Sequence, residues 1–506
     1  MTASTYGLLA SLAALGVPLT FAFGAWRARD ERAFSVAREV TTTALGAALL
    51  GGFFALGTTG SPLGVRFDLL AFAMLGLVCG LAAVLVRFSD RYLGGDSGRP
   101  RYVRWLLATL GSVTTLVITD HLLVMALAWT ATSLCLHQLL TFYERPTAHV
   151  AAHQKFLVSR CADVCLLVAV ALVWRETGDA RLPVLEAHVA SFGVSAALHA
   201  AAVLVALAIA LKSAQLPFHG WLLQVMEAPT PVSALLHAGV VNVGGYVALR
   251  LAALLAQAPI ALGVLVGFGG ITALVAALAA RRQPTVKSTL AWSTCAQMGF
   301  MLVQCGLGAW DLALLHLLAH SAYKAHAFLA AGETVARARV AALAPSRGAT
   351  FRRAAIAFVL VGAGALALFG LSDPRAVGLA LFVAASLAAP LARVPRGAWP
   401  VAALATFAFV ALYLGWHLAF ATWWPPATPP LALAVTAAAF GGSLATLHLA
   451  SELAPRGGLA RFAERAVALG MSLDVVFVRV AFRVWSPRLP QPAAVSSFAQ
   501  PQEIAR

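Results

Sequence analysis

About fifteen long apolar runs divide this sequence, and they constrain its fold more than any other feature. Each run has roughly 17–23 residues, and most contain no charged side chain. A helix rises about 1.5 Å per residue, so a run of this length crosses the hydrocarbon core of a bilayer. The chain is 60% apolar and only 11% charged, which excludes a soluble enzyme, a secreted disulfide scaffold and a disordered chain. We therefore expect an all-α, polytopic membrane protein.

The hydropathy pattern predicts thirteen to fifteen membrane spans, because some adjacent runs could merge. The predicted helix cores are residues 5–24, 40–56, 69–86, 105–119, 121–142, 157–174, 195–226, 231–250, 258–280, 288–307, 311–332, 354–371, 376–392, 398–420 and 429–450. Residues 1–452 are expected to form one transmembrane domain.

The basic residues are divided unequally between the two sets of alternating loops. Of the 36 Lys and Arg residues, 28 fall in one set of loops and the C-terminal tail, and 5 fall in the other set. Cytoplasmic loops of membrane proteins carry the excess of Lys and Arg. We therefore expect the N-terminus outside and the C-terminus in the cytoplasm, in the cell inner membrane. This topology explains the net charge of +16 better than a nucleic-acid partner does.

Residues 453–506 differ from the predicted spans. Charged side chains, among them Arg465 and Asp474, are mixed into an apolar pattern in the first part of this segment. That pattern is typical of an amphipathic helix lying in the membrane interface. The last twenty or so residues are rich in Pro, Ser and Gln and are expected to form a loose cytoplasmic tail.

Lysine usage is the sharpest functional signal. The chain has four lysines, Lys155, Lys212, Lys287 and Lys324, against 32 arginines. Lysine, unlike arginine, can lose its proton when it is buried, and an ionisable group within a span is a functional candidate. Lys212 and Lys324 lie inside predicted spans, and Lys287 lies at the mouth of one. We interpret Lys155 as a lysine that extends to the membrane interface.

Histidines extend this signal. His316, His320 and Lys324 recur every four residues, so they share one face of a helix. Histidine titrates near neutral pH and can pass a proton through either ring nitrogen. The row therefore indicates a proton relay, with hydrogen-bonded packing histidines as the alternative. His237, on the helix that follows Lys212, could continue the row or simply pack.

Pro217 interrupts the helical run that contains Lys212. Proline removes a backbone donor and opens a helix, and broken membrane helices often mark ion sites. A plain proline kink is the alternative. Two carboxylates are candidate partners for Lys212: Asp163, which follows Arg160 in the sixth run, and Glu227, which closes the broken helix.

Four sequence blocks resemble the antiporter-like subunits of respiratory complex I and Mrp-type antiporters. The block KSAQLPFHGWLLQVMEAPTPVSALLHAGVVNVGG occupies residues 212–245, VKSTLAWSTCAQMGFM occupies 286–301, and HLLAHSAYKAHAFLAAG occupies 316–332. An earlier block, FLVSRCADV, occupies 156–164. Together they define a signature core of about 120–335 and imply an antiporter-like fold with a broken seventh helix. Within this superfamily, the residues of these blocks are most similar to those of the DabB family.

The resemblance implies roles at matching positions. Lys212 would be the central lysine of the broken helix. The other matching residues would continue the proton path, and a charged pair would lie on the sixth helix. The residues implied are Lys212, Lys287, His316, His320, Lys324 and His237, with Arg160 and Asp163 as the charged pair.

Two departures from the antiporter pattern affect that path. The pattern has a glutamate after a tryptophan on the fifth helix, but here Trp129 is followed by Thr130. The pattern also has a lysine or glutamate on a later broken helix, but no lysine follows Lys324 here. We expect Asp163 to replace the missing glutamate as the partner of Lys212.

The resemblance also implies a function. DabB would conduct H⁺ or Na⁺ and drive DabA, a cytoplasmic partner that resembles a zinc-dependent carbonic anhydrase, to convert CO₂ to bicarbonate. The zinc would belong to DabA, since the six cysteines here include no CxxC pair. Catalysis is expected on the partner, and this chain is expected to carry no cofactor. DabA would dock on basic loop residues, namely Arg337, Arg339, Arg347, Arg352 and Arg353. The alternative is that these arginines only set the membrane topology.

Two other functions stay open from the sequence. One is a proton-translocating subunit of a respiratory NADH dehydrogenase-like or Mrp-type complex. The lack of a glutamate directly after Trp129 and of any lysine after Lys324 argues against this function. The other is a membrane anchor that only recruits a soluble enzyme. The row of titratable side chains argues against an anchor, because an anchor needs no such groups inside the bilayer.

Overall fold

Helices account for the architecture of the chain. The computed structural model describes residues 3–55, 62–225, 228–334, 359–364, 377–384, 396–424 and 429–453, with isolated positions elsewhere before residue 484. The helices of the first half are α1 Ala3–Arg27, α2 Ala33–Ala55, α3 Leu69–Tyr92, α4 Arg99–Ile118, α5 Leu122–Leu140, α6 Pro146–Thr177, α7 Leu182–Phe192 and α8 Ala196–Lys212.

The second half continues in the same way. Its helices are α9 Gly220–Gln224, α10 Thr230–Ala238, α11 Val243–Arg250, α12 Ala252–Leu255, α13 Pro259–Ala280, α14 Val286–Gly306, α15 Trp310–Leu329, α16 Trp399–Phe420 and α17 Leu431–Leu453. Residues 359–364 and 377–384 are also helical. The predicted all-α, polytopic fold is confirmed, and each predicted core within the described residues overlaps a helix.

Seven helical segments in the described part of the chain are long and apolar enough to cross a bilayer. They are Ser4–Arg27, Leu69–Tyr92, Leu122–Leu140, Pro146–Thr177, Thr230–Arg250, Pro259–Ala280 and Leu431–His448. Large apolar side chains such as Leu19, Phe23 and Leu127 are exposed on the outer surface, as expected where helices face lipid. Parts of the predicted cores 354–371 and 376–392 lie outside the described residues.

The seventh predicted span is two helices with a break between them. Helix α8 ends at Lys212, α9 begins at Gly220, and Pro217 lies in the intervening turn. Proline has no backbone N–H to continue the helical pattern. The N–H of Leu216 instead donates to Oγ1 of Thr272 on α13 at 2.9 Å. The predicted helix break is therefore present, and a neighbouring helix satisfies part of its backbone.

Helices α13 and α14 cross at very short distance because glycines face each other. A Cβ atom on Gly299 would lie 2.6 Å from both the backbone N of Ala273 and the backbone O of Gly269. Small residues allow membrane helices to approach closely and gain van der Waals contact. This crossing places the polar side chains of α14 beside those of α15 and α10.

A charged cluster ties the start of α3 to the end of α11. The Asp68 carboxylate accepts the N–H of Ala71 at 3.0 Å and two hydrogen bonds from Arg250, at 2.5 and 2.9 Å. Arg66 bridges Asp68 and Glu186 on α7. Burial raises the pKa of Asp68, but the charge and hydrogen bonds of Arg250, the Ala71 N–H and the charge of Arg66 together outweigh burial and lower that pKa to about 2.

Candidate functional site

The break after α8 places Lys212 against two other helices. The Lys212 Nζ atom donates to Oδ1 of Asp163 on α6 at 2.5 Å, and the two residues are 8% and 6% exposed. The same ammonium lies 4.6 Å from the ring centroid of Trp129 on α5, within cation–π range. The contact that we expected between Lys212 and Asp163 is therefore present.

Asp163 is shared between two cations. Its Oδ2 atom lies 2.8 Å from Nη2 of Arg160, one helical turn earlier on α6. The Arg160 guanidinium also lies 5.0 Å from the ring centroid of Phe156. One carboxylate is therefore shared by a buried ammonium and a partly exposed guanidinium. Removing this carboxylate would leave Lys212 without its counter-charge in a buried position, which is costly.

Thr130 supplies no carboxylate, and the carboxylate that pairs with Lys212 comes from α6 instead. The preceding residue, Trp129, presents its ring to the Lys212 ammonium, while Thr130 carries no charge and is only partly buried. The pairing therefore shifts from the fifth helix to Asp163 on the sixth. Glu227, the other carboxylate that the sequence suggested, lies outside the described residues.

Lys324 forms the centre of a second buried cluster. Its side chain is fully buried, and its Nζ atom donates to the backbone O of Leu290 at 3.0 Å and to Oγ of Ser293 at 2.9 Å. Both partners lie on α14. The Ser293 hydroxyl can accept from an ammonium or donate to a neutral amine, so it can serve Lys324 in either protonation state.

His320 and His237 connect α15 with α10. The Nε2 atom of His320 lies 3.2 Å from the backbone O of His237. The Nδ1 atom of His237 lies 3.1 Å from Oγ1 of Thr294 on α14, and its ring stacks on Phe328 with centroids 4.3 Å apart. Both histidines are buried. The two predicted histidines therefore meet within one polar cluster.

His316 completes the row on α15. Its ring nitrogens lie 2.8 Å from Oε1 of Gln304 and 2.9 Å from Oε1 of Gln297, both on α14. Its ring centroid lies 6.0 Å from that of His320. The structure thus brings His316, His320 and Lys324 to one face of α15, against the polar face of α14. Whether this row moves protons stays a prediction.

The remaining predicted residues lie apart from these clusters or outside the described residues. Lys287 is half-buried at the start of α14, and its Nζ atom donates to Oγ1 of Thr230 at 3.2 Å. The proposed docking arginines at 337–353 and most of 453–506 lie outside the described residues. Within the described residues, no group of three or more His, Cys, Asp or Glu is placed to hold a metal ion.

The interpretation of Lys155 as an interfacial lysine is wrong. Lys155 is 4% exposed, and its Nζ atom donates to Oγ of Ser133 at 3.0 Å. The ammonium also lies 5.9 Å from the ring centroid of Trp221, just after the helix break. The reason is that α6 begins at Pro146 rather than near residue 157, so Lys155 lies inside a helix and not at its mouth.

Sequence reasoning also missed several polar residues of the site. Asn242, in the turn between α10 and α11, donates to the backbone O of Ala238 at 2.9 Å and to Oγ of Ser321 at 2.6 Å. His219 is buried in the helix break, with its ring centroid 5.0 Å from that of Trp292 on α14. The polar face of α14 could have been predicted from the sequence, since Ser293, Gln297 and Gln304 share one helical face.

Comparison with known proteins defines the class of this fold and site. Residues 119–371 match the transmembrane family described as NADH:quinone oxidoreductase/Mrp antiporter. The fold is also similar to the structure of the Mrp complex from a Dietzia species, with a TM-score of 0.58 and 26% identity. That similarity covers 95% of this chain and 57% of the Mrp chain. These findings define a multi-pass, antiporter-like membrane subunit.

Three relatives indicate the group within this family to which the chain belongs. The chain is 48% identical to the "probable inorganic carbon transporter subunit DabB" of Hydrogenovibrio crunogenus over 58% of this chain and 56% of that protein. It is 38% identical to subunit DabB2 of Halothiobacillus neapolitanus over 84% of this chain and 81% of that protein. It is 35% identical to NADH-quinone oxidoreductase subunit L of Escherichia coli over 53% of this chain and 44% of that protein. The chain therefore belongs to the NADH:quinone oxidoreductase/Mrp antiporter family and, within it, to the DabB group of membrane subunits.

Proposed function

We propose that this chain is the membrane subunit of an energy-coupled inorganic carbon transporter and that it conducts H⁺ through its buried lysines and histidines. The proton flux drives a DabA-like cytoplasmic partner that resembles a zinc-dependent carbonic anhydrase, with the zinc on the partner. The observation that carries this proposal is the buried Lys212–Asp163 pair at the helix break, in a chain similar to proteins named as DabB.

The chemistry of the site favours H⁺ over Na⁺. The groups that line it are largely nitrogen bases, namely the amines of Lys212 and Lys324 and the imidazoles of His237, His316 and His320. Amines and imidazoles bind and release protons, whereas a sodium site needs several oxygen ligands. A path that carries Na⁺ would require a different arrangement of donors.

The protonation state of Lys212 determines whether its side chain stays paired with Asp163. While Lys212 is charged, Asp163 holds it against α6. When Lys212 gives up its proton, Asp163 retains Arg160 as a cation partner, and the neutral amine is free to turn away. This exchange would allow Lys212 to take a proton on one side of the pair and release it on another.

We place the chain in the cell inner membrane, with the N-terminus outside and the arginine-rich loops in the cytoplasm. In this orientation the DabA-like partner docks on the arginine-rich side. The zinc-dependent chemistry would then take place outside the bilayer, on the partner.

A proton-translocating subunit of a respiratory or Mrp-type complex is the second candidate function. The similarity to NADH-quinone oxidoreductase subunit L and to the Mrp complex favours it. The residue after Trp129 argues against it, because Thr130 stands where the antiporter pattern has a glutamate. The two functions differ in partner, and therefore in whether the chain supports carbon accumulation.

Growth in air of a carbonic-anhydrase-deficient bacterium tests the proposal. We expect rescue by this chain expressed with a DabA-like partner, but not by either protein alone. The Lys212→Ala and Lys212→Arg variants should abolish rescue, because neither side chain can exchange a proton near neutral pH. His188→Gln, on α7 and away from the buried clusters, is the matched control.

Two outcomes would contradict the proposal. Failure of a well-expressed, membrane-inserted pair to rescue growth would favour the respiratory or antiporter function, and cation-flux assays would then identify it. Full rescue by Lys212→Ala and Lys324→Ala variants would indicate an anchor that does not conduct protons.

A further inference from the structure

Three histidines that the site above does not use lie together where α5 ends and α6 begins. The ring of His137 stacks on that of His153 with centroids 5.9 Å apart. The ring of His149, one helical turn before His153, has its centroid 6.0 Å from that of His153. Rings at this spacing bring their nitrogen atoms within reach of a single bridging water.

The cluster continues inward to Lys155. Residues Trp129, Ser133 and His137 recur every four residues, so they share one face of α5. Trp129 faces Lys212, and Ser133 accepts a hydrogen bond from Lys155. The charge of Lys155 interacts with those of His137 and Lys212. The face of α5 therefore connects the histidines to the central lysine.

The cluster also continues outward. His153 is buried, whereas His149 is half-buried, and Arg145 just before α6 is exposed. The loop of residues 141–145 belongs to the set of loops that carries most of the Lys and Arg residues. We call the side of the membrane domain formed by these loops the arginine-rich face. His149 thus stands between the buried groups and this face.

Gln154 gives an independent indication of a polar path. It lies between His153 and Lys155 and is 3% exposed. Neither its Nε2 nor its Oε1 atom has a hydrogen-bond partner among the described residues. A buried amide without partners is destabilising, and such groups commonly bind ordered water. A hydrated path beside α6 would satisfy both atoms.

We propose that Lys155, His137, His153 and His149 form a proton path between the Lys212–Asp163 pair and the arginine-rich face. Each step moves one proton from a protonated nitrogen to a neutral nitrogen, directly or through one water, so that only N–H and O–H bonds break and form. The charge moves with the proton, and no oxidant or second substrate is needed. The path rests on the proposed function, because it gives Lys212 an outlet on the side where the partner would dock.

Proton flux into proteoliposomes tests this path. The full-length chain is reconstituted with its co-expressed partner, a potassium diffusion potential drives the flux, and a trapped pH dye reports it. We expect His137→Gln and His153→Gln to lower the flux by at least about tenfold, the scale of a lost proton-transfer group. His188→Gln should leave the flux unchanged, and Lys212→Ala should abolish it.

A rescue measurement separates proton transfer from a structural role. In a His149→Ala or His153→Ala variant, added imidazole should restore part of the flux, because a free base can replace the missing ring. Imidazole should not restore flux in the Lys212→Ala variant, whose lost group lies deeper.

The possible results are distinguishable. Wild-type flux that is lost in Lys212→Ala but retained in His137→Gln and His153→Gln would overturn this path and leave the proposed function intact. Low flux in the histidine variants without any imidazole response would also overturn it, since the defect would then be structural. An absence of flux in the wild-type complex would overturn both proposals.

Discussion

Removing the Asp163 carboxylate should destabilise the membrane domain through the buried charge of Lys212. The Lys212 and Asp163 side chains are 5% and 8% exposed, and their N and O atoms lie 2.5 Å apart. Breaking a buried ion pair by removing one partner costs about 3–5 kcal/mol. We therefore expect Asp163→Asn to lower the free energy of unfolding by roughly this amount, and Lys212→Met to lower it by less, because Asp163 then keeps Arg160 as a cation partner.

The double variant isolates the interaction. When both charges are removed together, the buried ammonium is gone, and the one cation that has lost its carboxylate is the partly exposed Arg160. The double variant should therefore be more stable than the sum of the single effects predicts. We expect a coupling energy of at least about 1 kcal/mol, measured by titrating the purified protein in mixed micelles with a denaturing detergent. Lys287→Met is the matched control, because Lys287 is half-buried and its Nζ atom donates to a hydroxyl, that of Thr230.

Additive effects of the two substitutions would contradict a stabilising interaction between Lys212 and Asp163. If the double variant equals the sum of the two single variants within about 0.5 kcal/mol, Lys212 and Asp163 do not stabilise each other. The cation–π contact with Trp129 would then have to carry the position of Lys212 alone.

Three further predictions follow from other parts of the structure. Gly299→Ala should destabilise the protein by about 1–3 kcal/mol, because its Cβ would lie 2.6 Å from α13 backbone atoms; Gly267→Ala, where a Cβ meets nothing within 4 Å, should not. The stabilisation from Asp68 and Arg250 should be fully present above the ordinary aspartate pKa of 3.8 and be lost as the pH falls toward about 2, because the folded-state pKa is the lower one. Thermal melting from pH 7 to about pH 2, with Asp68→Asn as reference, measures that loss, and a pH-independent difference between the two proteins would contradict it. Lys324→Arg should abolish growth rescue at normal protein levels, because arginine retains the charge but does not release the proton; full rescue would contradict a proton-carrying role.

The spans were predictable from the sequence because lipid imposes a simple rule on them. A helix that faces hydrocarbon must be apolar over about 20 residues, and such runs are visible without any tertiary information. Helix α7 was missed because its 11 residues are too few for a span. The start of α6 was missed because the stretch from Pro146 to Lys155 is rich in His and Gln and resembles a loop, although several of its polar side chains face inward.

The candidate site was predictable only in part. Lysine usage and the four-residue spacing identified Lys212, Lys324 and the histidines of α15, because these are properties of single helices. Pairings between helices were not determined by the residue pattern alone, which left Asp163 and Glu227 as candidate partners of Lys212, and Asp163 was favoured only through the family resemblance. The contacts of Ser133 with Lys155 exist only because α5 packs against α6, and no local pattern encodes that packing.

Accumulation of radiolabelled inorganic carbon would show whether proton release by Lys212 drives carbon uptake. Cells that express the chain with its partner are compared with cells that express the Lys212→Arg chain at the same level in the membrane, before and after a protonophore. We expect accumulation by the wild-type pair, its loss on adding the protonophore, and no accumulation with Lys212→Arg. Accumulation that is unchanged by Lys212→Arg would contradict the claim that a proton carried by Lys212 drives carbon uptake.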